Sequence, residues 1–246
     1  MLNKLVFLIL LIFTSQSGFT AAANKVIDST QVIVKKTADF TVTGDGKALS
    51  WATAKWVSIS VQESAGATIN TKAKLLYSDT GIYFLFWCED QKLTATIEED
   101  FKALYKEDVV EVFLWPNQAV PAYFEYEVSP LNYELPLMII NIDGKFSGWH
   151  PSNYTGKRKI QHATSVQGGE KKSNAPIKSW MAEMFIPFEL LRPLVQGTPQ
   201  PGSKWRGNLY RIDYDKGYTT ATWQKTTLNK PANFHDYNKF GTFIFE

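Results

Sequence analysis

The sequence predicts an all-β protein, an antiparallel β-sandwich of jelly-roll or immunoglobulin-like type with at most one or two short helices. Three observations carry that prediction. Short runs rich in β-branched and aromatic residues recur along the chain, turn-forming residues separate several of them, and aromatic residues are abundant enough to fill a large inter-sheet core: 8 Trp, 11 Tyr and 16 Phe.

The runs are Ala73 to Tyr77, Ile82 to Cys88, Val109 to Trp115, Tyr123 to Val128, Leu137 to Ile142, Trp180 to Ile186, Asn208 to Asp213 and Thr242 to Phe245. Asp79-Thr80-Gly81, Asp143-Gly144-Lys145 and Pro201-Gly202 supply turn chemistry. Glu98 to Tyr105 is a candidate for a turn or two of helix. Phe188 to Leu191 is a candidate for one short turn, held between Pro187 and Pro193. The polar stretch Gln167 to Lys178 reads as a solvated hairpin loop, and Gly197 to Gly202 as another loop.

The N-terminus reads differently. Lys4 precedes the apolar run Leu5 to Phe13, and Ala21-Ala22-Ala23 gives a small-residue cleavage pattern. Residues 1–23 are thus expected to be a signal peptide, too short for a span of about 20 residues. The alternative is a retained N-terminal anchor. Cleavage near Ala23 would leave residues 24–246 as one exported domain, periplasmic or extracellular. Charge is nearly balanced, with 26 basic and 24 acidic residues, so the basic footprint of a nucleic-acid binder is missing. Cys88 is the single cysteine, which excludes an intramolecular disulfide and reads as a buried thiol.

Few residues suggest chemistry. Glu111 is a lone carboxylate in the apolar run Val109 to Trp115. It reads either as the partner of an arginine such as Arg206 or Arg211, or as an acceptor for sugar hydroxyls. Glu125 and Glu127 project from one side of their strand. A solvated polar face is the ordinary cause, although a glycosidase also needs two carboxylates. His150, His162 and His235 are scattered, and Asn153-Tyr154-Thr155 is a glycosylation sequon. Glu89-Asp90 and Glu98-Glu99-Asp100 offer oxygen ligands for calcium, and a plain charged loop is the commoner meaning.

Six marks in order resemble carbohydrate-binding module family 9 and its stand-alone relatives in exported bacterial proteins. They are Asp45-Gly46 with Trp51 and Ala54; Ile82 to Asp90 (IYFLFWCED); Asp108 to Phe113, similar to D-x-V-E-x-F; Trp180 to Glu183 with Ile186-Pro187; Asn208 to Asp213; and Trp223 before Phe234-His235 and Phe240-Gly241. The resemblance implies a sandwich with a sugar site on one side, and often structural calcium. In the family two tryptophans clamp the terminal sugar. By position that clamp falls on Tyr105 and Phe234, and a hydroxyl-binding carboxylate falls on Glu111. Glu127 stands where the family places a hydroxyl-binding arginine. That departure reverses a charge in the site, against the family's preference for the reducing ends of glucans and xylans. Asn208, Arg211 and His235 are further candidates.

The expected function is non-catalytic binding of a polysaccharide or oligosaccharide, alone or beside secreted glycosidases in polysaccharide breakdown. One alternative is glycoside hydrolysis by Glu111 with Glu125 or Glu127. Another is haem binding, for which Met138, Met181, Met184 and His150 are the available ligands.

Overall fold

The structure, a computed structural model, describes residues 28–66, 69–143, 145–152, 154–227 and 232–246. The expected signal peptide and Asn153 of the sequon lie outside these residues. The strands are β1 (Gln31–Lys36), β2 (Val57–Glu63), β3 (Thr71–Tyr77), β4 (Gly81–Glu89), β5 (Val109–Trp115), β6 (Ala122–Val128), β7 (Glu134–Ile142), β8 (Lys145–Pro151), β9 (Gln161–Gln167), β10 (Ser179–Pro187), β11 (Lys204–Asp213), β12 (Thr219–Thr222) and β13 (Gly241–Phe245). All eight expected runs are strands. The proposed helix at Glu98 to Tyr105 is reduced to one 3-10 turn at Leu104–Lys106.

Hydrogen bonding runs in the order β8-β7-β6-β5-β11-β12-β2-β3-β4-β10-β9. The arrangement folds over into two layers, β8 to β12 facing β3 to β9. β2 crosses between them, pairing β12 through Ser60 and Val61 and β3 through Val57 to Ile59. β1 crosses too, and it adds two parallel pairings to an otherwise antiparallel sandwich. β1 runs parallel to β13, then parallel to β3.

Three apolar layers follow from the two-residue alternation of side chains. Val110, Val112 and Leu114 of β5 and Phe124, Tyr126 and Val128 of β6 meet Phe84, Phe86, Trp180, Ala182 and Met184 across the sandwich. Cys88 lies in this core, its thiol pushed up to about 12 by burial, which keeps it inert at neutral pH. The outer face of the first sheet carries a second cluster of Val109, Phe113, Tyr123, Leu137, Tyr210 and Ile212, covered by Phe234, Tyr237 and Phe240. The outer face of the second sheet carries a third, around Trp51, Tyr83, Leu85 and Met181. A strand covered on both faces loses its polar alternation, so every residue of β5 is buried.

The inter-sheet space that a haem would need is filled. Met184 is in that core and Met181 on the opposite face of β10, while Met138 lies across from the exposed His150 at the β7–β8 edge.

Candidate functional site

The outer face of β5, β6 and β11 opens into a cavity of about 320 Å³. Its floor is set by register. Glu111 of β5 is directly opposite Glu127 of β6, Phe113 is opposite Glu125, and Tyr210 of β11 is opposite Glu111. Glu111, Glu125 and Glu127 therefore emerge on the same side, among aromatic side chains. Two of the readings offered for them fail. Glu125 and Glu127 are not a solvated polar face, since they are 4 % and 0 % exposed. Nor does Glu111 pair with an arginine. Arg211 sits on the opposite face of β11, and Arg206 donates to the carbonyls of Phe240 and Gly241.

Burial, with no counter-ion among the described residues, raises all three carboxyls. Glu111 is pushed well up by burial and then by Glu125. Glu127 is pushed well up by burial and by the charges of Glu111 and Glu125. Burial lifts Glu125 to about 8, opposed by a hydrogen bond with Glu127. His235 shares a 2.6 Å hydrogen bond with the Tyr123 hydroxyl through Nδ1 and lies 3.8 Å from Glu125 Oε2. Burial drops His235 to about 4, so the ring is neutral and that approach is no ion pair at neutral pH.

The walls are aromatic. Phe234 stacks on Tyr210 with centroids 4.1 Å apart, and the Tyr210 hydroxyl donates to the Phe234 carbonyl. Tyr105, 42 % exposed, lines the cavity with Phe101, Phe146 and Trp149. Phe101 holds a φ of 63°, a left-handed conformation strained for a bulky residue, while its N–H donates to the Glu134 carbonyl. Phe146 lies against His235 at 4.5 Å.

Of the expected site residues, Tyr105, Glu111, Glu127, Phe234 and His235 line this cavity. Asn208 and Arg211 do not. Asn208 is fully buried behind the aromatic wall, with its amide donating to the Tyr210 hydroxyl and the Gln224 carbonyl. Its Oδ1 accepts from Leu209 and Gln224, so it supports Tyr210 and has no polar atom to offer a ligand. Arg211 is fully buried between the sheets. Its guanidinium donates to Asp90, Asp213, Thr71 and the Glu89 carbonyl. The sequence reading missed Phe101, Phe146 and Trp149. The signal for the last two was their size and exposure in an edge strand, and a register shift between Phe146 and Gly148 lets both look into the cavity where strict alternation would part them.

The model of the carbohydrate family 9 binding domain-like family matches residues 42–246. The chain belongs to this family. Solved structures agree on the fold. A candidate carbohydrate-binding protein from Bacteroides uniformis is 18% identical, with a TM-score of 0.73 over 88% of this chain and 99% of that one. A family 9 module from Caldicellulosiruptor kristjanssonii in complex with cellotriose is 16% identical, with a TM-score of 0.61 over 88% of this chain and 93% of that one. The same module in complex with glucose has the same TM-score and identity, with 95% of that chain covered. No curated protein sequence matches.

Most of the family 9 marks prove to be frame. Glu183 accepts from Trp51 Nε1 at 2.7 Å and from the N–H groups of Thr43 and Gly44, which pins the segment before β2 onto the second sheet. Gly44 has a φ of 81°, and a Cβ there would come within 2.6 Å of the Ala163 backbone. Asp108 accepts from the N–H groups of Thr94 and Tyr214, fixing the entry to β5. Asp90 takes the Trp180 indole as well as Arg211. Asp90, Asp213 and Asp215 bring carboxylate oxygens within 4.8 Å of one another, beside a void of about 30 Å³. Glu98, Glu99 and Asp100 are exposed and do not belong to that group.

Proposed function

We propose that this chain is an exported, non-catalytic carbohydrate-binding protein that seats a sugar in the cavity over β5 and β6. The observation that carries the reading is a space of about 320 Å³ floored by carboxyl oxygens and walled by exposed aromatic rings. Carbohydrate needs both. Its C–H faces stack on rings, and its hydroxyls require directed acceptors and donors. The volume is at the small end of ligand sites and suits one or two sugar units, roughly 300 Å³ and upward being the usual range. The family and the relatives bound to cellotriose and glucose support the same reading. Export rests on residues 1–23 acting as a signal peptide cleaved near Ala23. The surroundings in which secreted glycosidases break down polysaccharide are where such a module would work.

A glycan-array screen of residues 24–246 tests this, with Tyr105→Ala and Trp149→Ala as comparisons. Each ring loss is expected to weaken binding about tenfold, roughly 1.4 kcal/mol of stacking area. Binding unchanged in both variants would move the site elsewhere, and no binding to any glycan would end the reading. The Glu125 carboxyl, lifted to about 8, favours one second reading, in which it protonates a glycosidic oxygen as a general acid. New reducing ends released from a bound oligosaccharide would establish that chemistry.

Structural calcium, implied by the family, fits Asp90, Asp213 and Asp215. All three are hard oxygen donors, and the Arg211 guanidinium pairs with two of the three carboxyls. The ion would supply the missing positive charge where the two sheets meet. Calcium at about ten times its Kd is expected to add roughly 1.4 kcal/mol and raise Tm by about 4 °C. Asp215→Asn should abolish the rise, because Asp215 is not bound to Arg211. A Tm indifferent to calcium and to chelator would remove the ion.

A further inference from the structure

We infer that the sugar held in this cavity carries a positive charge: an amino sugar whose ammonium group sits among Glu111, Glu125 and Glu127. The inference rests on the carbohydrate reading above and names its substrate class. Glu111 and Glu127 are direct cross-strand partners, and like charges in that relation repel. Glu125 Oε2 and both carboxyl oxygens of Glu127 are buried, and among the described residues Glu127 is reached by Glu125 and the Tyr105 N–H but by no cation. Buried carboxyls with no cation beside them keep their protons, so a site built this way is matched to a ligand whose donors and positive charge let them ionise on binding.

Among the described residues, nothing in the walls supplies that charge. His235 is neutral, and the other described titratable groups facing the floor are the hydroxyls of Tyr105, Tyr123, Tyr210 and Tyr218. Lys102 at the rim lies 3.2 Å from Glu99 and points its charge there. A bare metal ion fits less well than an ammonium. Among the described residues the acidic trio whose oxygens converge within 4.8 Å is Asp90, Asp213 and Asp215, and the three glutamates do not converge in this way. An ammonium brings three N–H donors on a ring that can stack on Tyr105 or Trp149, and its donors can reach separated acceptors. Overall charge does not explain a preference for cations, since the chain is +2.

The test is calorimetric titration at pH 6 of the mature protein with three β-1,4-linked trisaccharides: glucosamine, N-acetylglucosamine and glucose. The glucosamine trisaccharide is expected to bind at least tenfold more tightly than the other two. Glu127→Gln should weaken glucosamine binding more than glucose binding, and so narrow that ratio. A glucose or acetylated trisaccharide that binds as tightly as glucosamine overturns the inference and leaves the carbohydrate reading standing. Failure of all three to bind overturns both.

Discussion

Arg211→Ala is expected to destabilise the protein by about 3–5 kcal/mol and lower Tm by about 10 °C. The guanidinium sits at 0 % exposure and pairs with Asp90 at 3.0 Å and Asp213 at 2.6 Å. It also donates to Thr71 and the Glu89 carbonyl, so one side chain of β11 holds the ends of β3 and β4 in the other sheet. Removing it leaves two buried carboxylates facing each other without a counter-charge. Arg211→Lys should recover little, because a single ammonium cannot present donors in the guanidinium's fork. Thermal melting checks this. A variant that melts normally but no longer binds sugar would instead return Arg211 to the binding site.

The second large effect is a loss of stability with rising pH. Glu125 titrates near 4.5 when unfolded and near 8 when folded, so between those values the folded state holds a proton the unfolded chain has released. Stability then falls as pH rises through this window, at up to about 1.4 kcal/mol per pH unit. Glu111 and Glu127 are raised as well and act in the same direction. His235 opposes on the acid side. Its folded value near 4 lies below the unfolded 6.5, so stability is lost as pH falls below 6.5, and His162, also lowered by burial, adds to that loss. The expected profile is a broad optimum near pH 5 to 6.5, where the carboxyl and imidazole terms offset. Above it, a loss of about 2 kcal/mol or more by pH 8 should lower Tm by about 6 °C. Glu125→Gln removes both its own titration and its charge on the other two, and should flatten the alkaline limb. A Tm that climbs from pH 6.5 to 8, or a limb equally steep in Glu125→Gln, would contradict the buried glutamate trio.

What the sequence made legible follows from which strands are covered. β5 and β4 could be read directly because both faces of each are buried and the apolar run is unbroken. β8 and β9 are sheet edges, the first mostly exposed and the second mostly half-buried, and β12 is four buried residues, three of them threonine, so none carries an apolar run. Missing β8 meant missing Phe146 and Trp149. Glu111 was visible as a carboxylate in an apolar strand, but its meaning depended on its cross-strand neighbours, which no local pattern contains. Arg211 was misplaced for a related reason. Alternation separates Asn208, Tyr210 and Ile212 from Leu209, Arg211 and Asp213, yet it does not say which set looks into the sandwich. The family marks were sound as identifiers, but in the folded chain Asp108, Trp180 and Glu183 serve architecture more than ligand.

The parallel pairing of β1 with β13 sets a condition on assembly. Gln31 lies beside Thr242, across roughly 210 residues of intervening chain, and β1 then passes directly to β3. Closing so long a segment is entropically costly and slow, and no local contact can substitute for it. A nascent chain therefore carries β1 and the first half of β11 with open edges until β13 has been made. During that interval it is the form most exposed to chaperones, proteases and self-association, and trimming at Gly241 would make the interval permanent.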